Sequence, residues 1–448
     1  MDKKPIAITK MLAEFIAGTE QSKIPDTVFE HAKVAFLDWL GVTLAGKDDP
    51  LVGKLLHYAD IMGGKEQATI LGHKVKKSIS QAALINGAAS HALDYDDSLV
   101  SFLGHPTVTI LPGLLSLSEF KGKSGKDLLT AYIFGLKAGT VIASSAGGDH
   151  YMSGYHTTST MGCLASASAC ARLLELDSRQ TAHALGIAGT QSGGLKRVFG
   201  TMCKPFHAGR ASEVGLMSAL LAEDGFTSAE DILEGPSGLF QAMKGAPNEL
   251  LLLSLGETWA IEDLAQKYHA SCHATHSSIE ASWAIFDKEN ISVNDVKTIT
   301  VYTSELALSA AFNTAAKTGL EGKFSIPYCV ANALIRGKGN TGLQAFTDEK
   351  VNDSKIQELM AKIVTKKDPE MFALDARVEI ENDKGDVFSA YSNILNEIPA
   401  LDVKKTKIRD KFHDLAEPVL GEEKTVSLSE AVYNLDKVKD IRELIDLI

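Results

Sequence analysis

Between Pro25 and Gly46, Val28, Ala32, Ala35, Leu37, Trp39 and Leu40 recur broadly at the spacing of one helical face, with Gly41 and Gly46 near the end of the run. Similar patterning predicts helices over Ser80–Ala92, Leu111–Phe120, Gly125–Ser145, Thr160–Leu176 and Ser178–Gly189. Many of these segments are filled with Ala, Gly and Ser, side chains small enough for helices to approach closely in a large bundle. After about residue 290 the pattern changes. Val296–Tyr302 alternates and is β-branched, so it predicts a strand. Arg377–Glu381, the turn Asn382–Gly385 and Asp386–Phe388 predict a hairpin. Ser325–Arg336 predicts a helix with Pro327 in its first turn. Helical periodicity returns from Lys404 onward. The expected fold is mainly α: a large helical domain over residues 1–266 and 398–448, interrupted by a smaller α+β domain over 267–397.

A chain of 448 residues is too long for one ordinary core, which agrees with two domains. Its 45% hydrophobic and 23% charged residues are the balance of a soluble globular protein. A net charge of −12 argues against nucleic acid and anionic membranes as partners. No uninterrupted apolar run reaches the roughly 20 residues of a membrane span. Met1–Pro5 leads into an amphipathic stretch without the apolar core and cleavage site of a signal peptide. Five cysteines, at 163, 170, 203, 272 and 329, form no disulfide framework and fit a reducing cytoplasm.

The candidate chemistry lies in five short stretches: His91–Asp97, Gly104–Thr107, Tyr155–Thr158, Lys204–Gly209 and His269–His276. Eight of the thirteen histidines fall in or beside them, which argues for an enzyme over a scaffold. Asp94, Asp96 and Asp97 follow an Ala-rich helix. Alone they would be read as a solvated turn, but His91 and His105 flank them, and the acids could set the protonation of nearby histidines. His105 precedes a proline and so sits in an extended or turn segment. Thr157 to Thr160 open a helix, where hydroxyls and free N–H groups suit a carboxylate. Lys204 also precedes a proline, which predicts a junction, and it could clamp a carboxylate. His269, Cys272, His273 and His276 would share one face if their segment were helical, the spacing of a metal site.

Together these motifs resemble the MmgE/PrpD family. The resemblance runs from Asp38-Trp39-Leu40-Gly41 to Phe324-Ser325-Ile326-Pro327-Tyr328-Cys329, and its elements are H-x-x-D-[FY]-D-D, G-H-P-[ST], K-P-x-H-x-G and F-S-x-x-Y in this order. It implies a large all-helical domain with a smaller α+β lid, a homodimer, and catalysis with neither metal nor organic cofactor, against the metal spacing at His269–His276. It implies a pocket holding Asp94, His105, His156, Lys204, His276 and Tyr328, with Ser98, Tyr151, Thr157 and His207 on the substrate. Ser98 stands where decarboxylases of the family carry threonine. Tyr151 and its H-Y-x-x-G-Y-H context resemble the epimerase-like branch, and Gly104-His105-Pro106 lacks the Ser-Asp-Asn continuation of the 2-methylcitrate dehydratases. The shared chemistry is proton transfer at a carbon next to a carboxylate. The leading expectation is therefore a cofactor-independent lyase on a citrate- or aconitate-like acid, by dehydration or decarboxylation. An epimerase of a dicarboxylate such as iminodisuccinate and an inactive helical interaction protein are the alternatives.

Overall fold

A computed structural model describes residues 6–289, 291–395 and 398–448. Met1–Pro5 and residue 397, where the sequence-based boundary falls, lie outside them. The described chain is mainly helical, with one small sheet of any size. It divides into two compact units: residues 6–92, 96–266 and 400–448, and residues 93–95 with 267–399.

The first unit is a bundle whose central helices are Ile79–Ala92, Thr107–Lys121, Gly125–Met152, Thr157–Leu173 and Cys203–Glu223. Thr157–Leu173 is buried at nearly every position, because helix neighbours cover all its faces. Its Ala, Ser and Gly positions permit that crowding. Gly125–Met152 is long and apolar enough to span a membrane, more so than the run-length reading predicts, yet 94% of its apolar window is buried. It starts at a reciprocal cap between Ser124 and Asp127 and kinks at Gly147, whose φ of 74° suits glycine. The helix expected from Leu111 begins earlier, at Thr107 after Pro106, and the one expected from Thr160 begins at Thr157.

Asp26–Gly46 packs against Leu401–Leu420 through a buried ion pair, Lys411 Nζ to Asp38 Oδ1 at 2.7 Å. Charges removed from water need each other more than surface charges do. Lys411→Met strips Asp38 of that cation. It is expected to destabilise this unit by about 3–5 kcal/mol in denaturant unfolding, with the Asp38→Asn/Lys411→Met double variant recovering part of the loss.

The second unit has a four-stranded sheet in the order Ile363–Lys367, Val296–Thr303, Ala376–Asn382, Val387–Ser392. The first pair is parallel and the other two antiparallel, with Ile299 opposite Ile380 and Val301 opposite Val378. These four apolar side chains share the buried face with Trp283, Tyr328 and Val330 from the helices His276–Glu289 and Ile326–Arg336. The hairpin turn closes on Asn382, whose side-chain oxygen accepts from the N–H groups of Lys384 and Asp386.

Candidate active site

Asp96 is 1% exposed, and each of its carboxylate oxygens meets an imidazole. His91 Nδ1 lies 2.8 Å from Oδ1, and His105 Nδ1 lies 3.0 Å from Oδ2. His105 Nδ1 also lies 2.7 Å from the main-chain oxygen of Asp97. A carbonyl oxygen only accepts, so this nitrogen carries the proton. The two rings sit 4.6 Å apart. His91 comes from the last turn of Ile79–Ala92. His105 comes from the loop before Thr107–Lys121, as its proline predicts. That loop is tied down where the His105 N–H donates to Thr158 Oγ1 at 3.1 Å.

A second group stands beside the first. Ile79–Ala92 and Cys203–Glu223 cross at Gly87 and Gly209 so closely that a Cβ on Gly87 would come within 2.6 Å of the Gly209 Cα. Only paired glycines allow that approach. The crossing brings Lys204 and His207 toward His91. Contrary to the junction reading, Lys204 is helical, the second residue of Cys203–Glu223. Pro205 is tolerated in the first turn because its missing N–H has no helical partner there. His156 caps the start of Thr157–Leu173 and approaches His207, Nδ1 to Nδ1 at 3.0 Å. Phe199 closes the group, edge-on to His156 at 4.8 Å and 5.6 Å beneath the Lys204 ammonium.

Electrostatics sort these groups. Burial pushes His91 down to about 4; Asp96 pulls the other way, and the Lys204 ammonium adds to the depression. Burial and then Lys204 hold His156 well below the ordinary range, and lower His207 to about 4. Burial alone would raise Asp96, but His91 and His105 outweigh it and keep the carboxylate well below its usual value. Asp97 goes the other way, raised by burial and by Asp38 and Asp96 despite a hydrogen bond from Thr107. The result is one anion and one ammonium amid neutral imidazoles, inside the first unit.

Other predicted residues of this unit lie in varied settings. Ser98 exchanges two main-chain hydrogen bonds of 2.9 Å with Ala265. The Tyr151 ring carries the Lys196 ammonium 3.7 Å from its centre. Thr157 Oγ1 is buried and finds no hydrogen-bond partner among the described residues.

In the second unit, Asp94 has a left-handed backbone, φ 51°, and is buried. The fully buried Lys267 Nζ donates to its main-chain oxygen at 2.8 Å and lies 3.3 Å from Oδ1. The Tyr328 hydroxyl donates to the Ala345 carbonyl, and burial raises its pKa. His276 Nε2 faces the Ser271 carbonyl at 3.2 Å. The helical reading of His269–His276 does not hold. Residues 273–275 form a 3₁₀ turn and the α-helix starts only at His276, so the four side chains do not line one face. The rings of His269 and His273 still reach His276, at 4.6 and 4.5 Å, but His269 spends its nitrogens on Thr341 and Glu280.

His91, Asp96 and Lys267 are additions that the motif reading did not select. His91 was legible as one of two histidines flanking the acids. Nothing local marks Lys267, which meets Asp94 across 173 residues of chain.

The donor atoms of His91, Asp96 and His105 lie within 4.8 Å of one another, close enough for a cation. Both Nδ1 atoms, however, already carry protons aimed at oxygen, and a protonated nitrogen has no lone pair for a metal. Elemental analysis is expected to find no stoichiometric transition metal, and chelation should leave activity unchanged. One tightly bound zinc per chain, with activity lost on chelation, would overturn this.

The depressed histidines have a consequence for stability. His31, His91, His150, His156, His207 and His276 are all held low chiefly by burial, the first three and His207 at about 4. Unfolded, each takes up a proton near pH 6.5. Between about pH 6.5 and 4 the unfolded chain therefore binds more protons, so stability is full above that window and lost as pH falls through it. Asp97, whose pKa is raised in the fold, opposes the trend, but it is one group against six. The melting temperature should drop by roughly 10 °C or more from pH 7 to pH 5. A flat profile in thermal melts would mean these imidazoles are not buried neutral.

Residues 10–250 match the MmgE/PrpD N-terminal domain, and residues 269–437 match the MmgE/PrpD C-terminal domain. Relatives share the whole length at low identity. The cis-aconitate decarboxylase-like protein oryM of Aspergillus oryzae is 25% identical over 98% of this chain and 97% of its own. The cis-aconitate decarboxylase of Aspergillus terreus is 26% identical over 98% and 96%, and that of Mus musculus 25% over 99% and 93%.

Proposed function

The chain belongs to the MmgE/PrpD family, and from that premise we propose that it is a lyase acting on a small tricarboxylate, with decarboxylation of a cis-aconitate-like acid as the leading reaction. The observation that carries the reading is the buried Lys204 ammonium beside neutral His91, His156 and His207, with His105 held on Asp96. A cation in a desolvated pocket attracts a carboxylate strongly and stabilises charge that builds on it.

The chemistry follows from that set. The bond between the departing carboxylate and its carbon breaks, carbon dioxide leaves, and the bonding pair stays on the carbon framework. That pair is delocalised onto a remaining carboxylate, whose oxygens Lys204 faces. A proton then completes the product. His105 Nε2 is the atom to deliver it after taking one from solvent, because Asp96 beneath Nδ1 stabilises the imidazolium formed in between. Dehydration runs the carbon proton the other way: a base takes it from the carbon beside the carboxylate, and hydroxide leaves the neighbouring carbon, protonated as it departs, as water.

A second reading rests on Tyr151 and its H-Y-x-x-G-Y-H context, which resemble the epimerase-like branch. There the proton removed beside a carboxylate returns to the opposite face and no fragment leaves.

A panel of di- and tricarboxylates incubated with the protein in deuterated water and followed by NMR separates these readings. Carbon dioxide release with one deuterium in the product supports decarboxylation. Water loss marks a dehydratase, and deuterium at a carbon of unchanged constitution marks an epimerase. No turnover and no exchange would leave a helical interaction protein. Light scattering on the same sample tests the homodimer that family membership suggests.

A further inference from the structure

Asp96 differs from the other acids of its motif. Burial and the neighbouring Asp38 and Asp96 push the Asp97 pKa up, with Thr107 hydrogen-bonded to it, and Asp94 lies on Lys267. Asp96 alone divides its two oxygens between two imidazoles while 1% exposed. A buried carboxylate with a hydrogen bond from His91 and the His105 imidazole 3.0 Å from its other oxygen stays ionised, and together with the Asp97 carbonyl it fixes where the protons of both rings sit. His105 is doubly constrained, since the Asp97 carbonyl accepts from the same Nδ1. The His91 ring backs this arrangement, its Nδ1 proton on Oδ1 and its Nε2 without a hydrogen-bond partner among the described residues.

We propose that Asp96 is a positioning residue. One carboxylate grips His91 and His105 together and holds His105 with its Nδ1 proton inward, so that Nε2 presents a lone pair for proton transfer. His91 is the second donor that keeps the carboxylate buried, ionised and correctly turned. The proposal deepens the proton-transfer role given to His105 above and rests on it for its catalytic meaning, though the protonation pattern stands on geometry alone.

The charged and titratable groups around Asp96 are His91 and His105 on its oxygens, His156, Lys204 and His207 beyond them, and Asp97 with Asp38 on the other side. Replacing the carboxylate with an amide removes the only anion touching His105 in this set. An amide also puts an NH₂ donor where one carboxylate oxygen stood, so the imidazole facing that nitrogen must turn away or change tautomer. A carboxylate amidated beneath a catalytic imidazole costs about 10⁴ in kcat in the serine-protease triad, through the wrong tautomer.

The test has two arms. In the wild-type protein without substrate, ¹⁵N-histidine NMR is expected to show His105 and His91 both protonated at Nδ1 and bare at Nε2, assigned with His105→Gln and His91→Gln. A His105 protonated at Nε2 overturns the proposal without any variant having to fold, and without reference to a substrate. In Asp96→Asn, the same spectra should show at least one of the two rings changing tautomer, because the acceptor-only carboxylate is gone. On the substrate identified by the panel, kcat should fall a hundredfold or more, KM should stay within about threefold, and Asp96→Glu should recover part of the loss. A merely structural role would lower the melting temperature and leave both tautomers in place. If the NMR result holds while no carboxylate is turned over, the functional reading fails and the positioning of His105 stands. An Asp96→Asn enzyme with normal kcat refutes the positioning role itself.

Discussion

Lys204→Ala is expected to lower kcat/KM by about a hundred- to a thousandfold while the protein stays folded. The expectation rests on where the ammonium sits. It is buried near the start of Cys203–Glu223, and its charge, after burial, helps hold the pKa values of His91, His156 and His207 low. A cation there faces little competing water, so a substrate carboxylate gains more from it than from a surface lysine. Charge that builds on that carboxylate as the bond breaks gains more still, so kcat should fall along with any rise in KM. Lys204→Met, closer in shape, should behave like alanine, and Lys204→Arg should not rescue, because a planar guanidinium does not fit a place shaped for a compact ammonium. The three histidines should titrate at higher pH in the methionine variant. Activity within threefold of wild type in both variants would remove Lys204 from the chemistry.

His105→Ala should cost between a hundred- and ten-thousandfold in kcat. Like His91, this ring lies on the Asp96 carboxylate through Nδ1, but His105 is partly exposed where His91 is fully buried, so it is the ring of the pair open to substrate. Losing it removes the proton carrier and leaves Lys204 to bind, so KM should move little. Added imidazole should restore part of the rate, because the alanine leaves a ring-sized space over Asp96. Rescue that follows imidazole basicity would identify proton transfer as the lost step. Full activity without imidazole would exclude His105.

Much of the architecture was legible before any coordinates. Asp26–Gly46, Ile79–Ala92 and Ser178–Thr190 lie within a residue or two of the helices that apolar spacing predicts, because each buries a continuous apolar stripe. The hairpin was equally plain: Asn382 and Gly385 supply the hydrogen bonds and the positive φ that its turn requires. The motif stretches were legible as chemistry because Lys204, His105, His156 and the acids are too dense to be decoration. Periodicity failed where tertiary contacts override it. His269–His276 has helical spacing but spends its side chains on Thr341, Glu280 and Ser271 before the helix starts.

What the sequence determined by itself is which residue types are available and which local elements carry them, since propensity, capping and periodicity act over a few positions. That the pKa of Asp96 is pushed down and that of its neighbour Asp97 up, which nitrogen of His105 holds the proton, and that Lys267 lies on Asp94 were decided only by the tertiary structure. Those properties depend on burial and on partners from other elements. The close crossing at Gly87 and Gly209 carries Lys204 and His207 toward His91, and no pattern within either helix specifies which glycine meets which. Protonation follows the local field and the loss of water, and both exist only once the chain has packed.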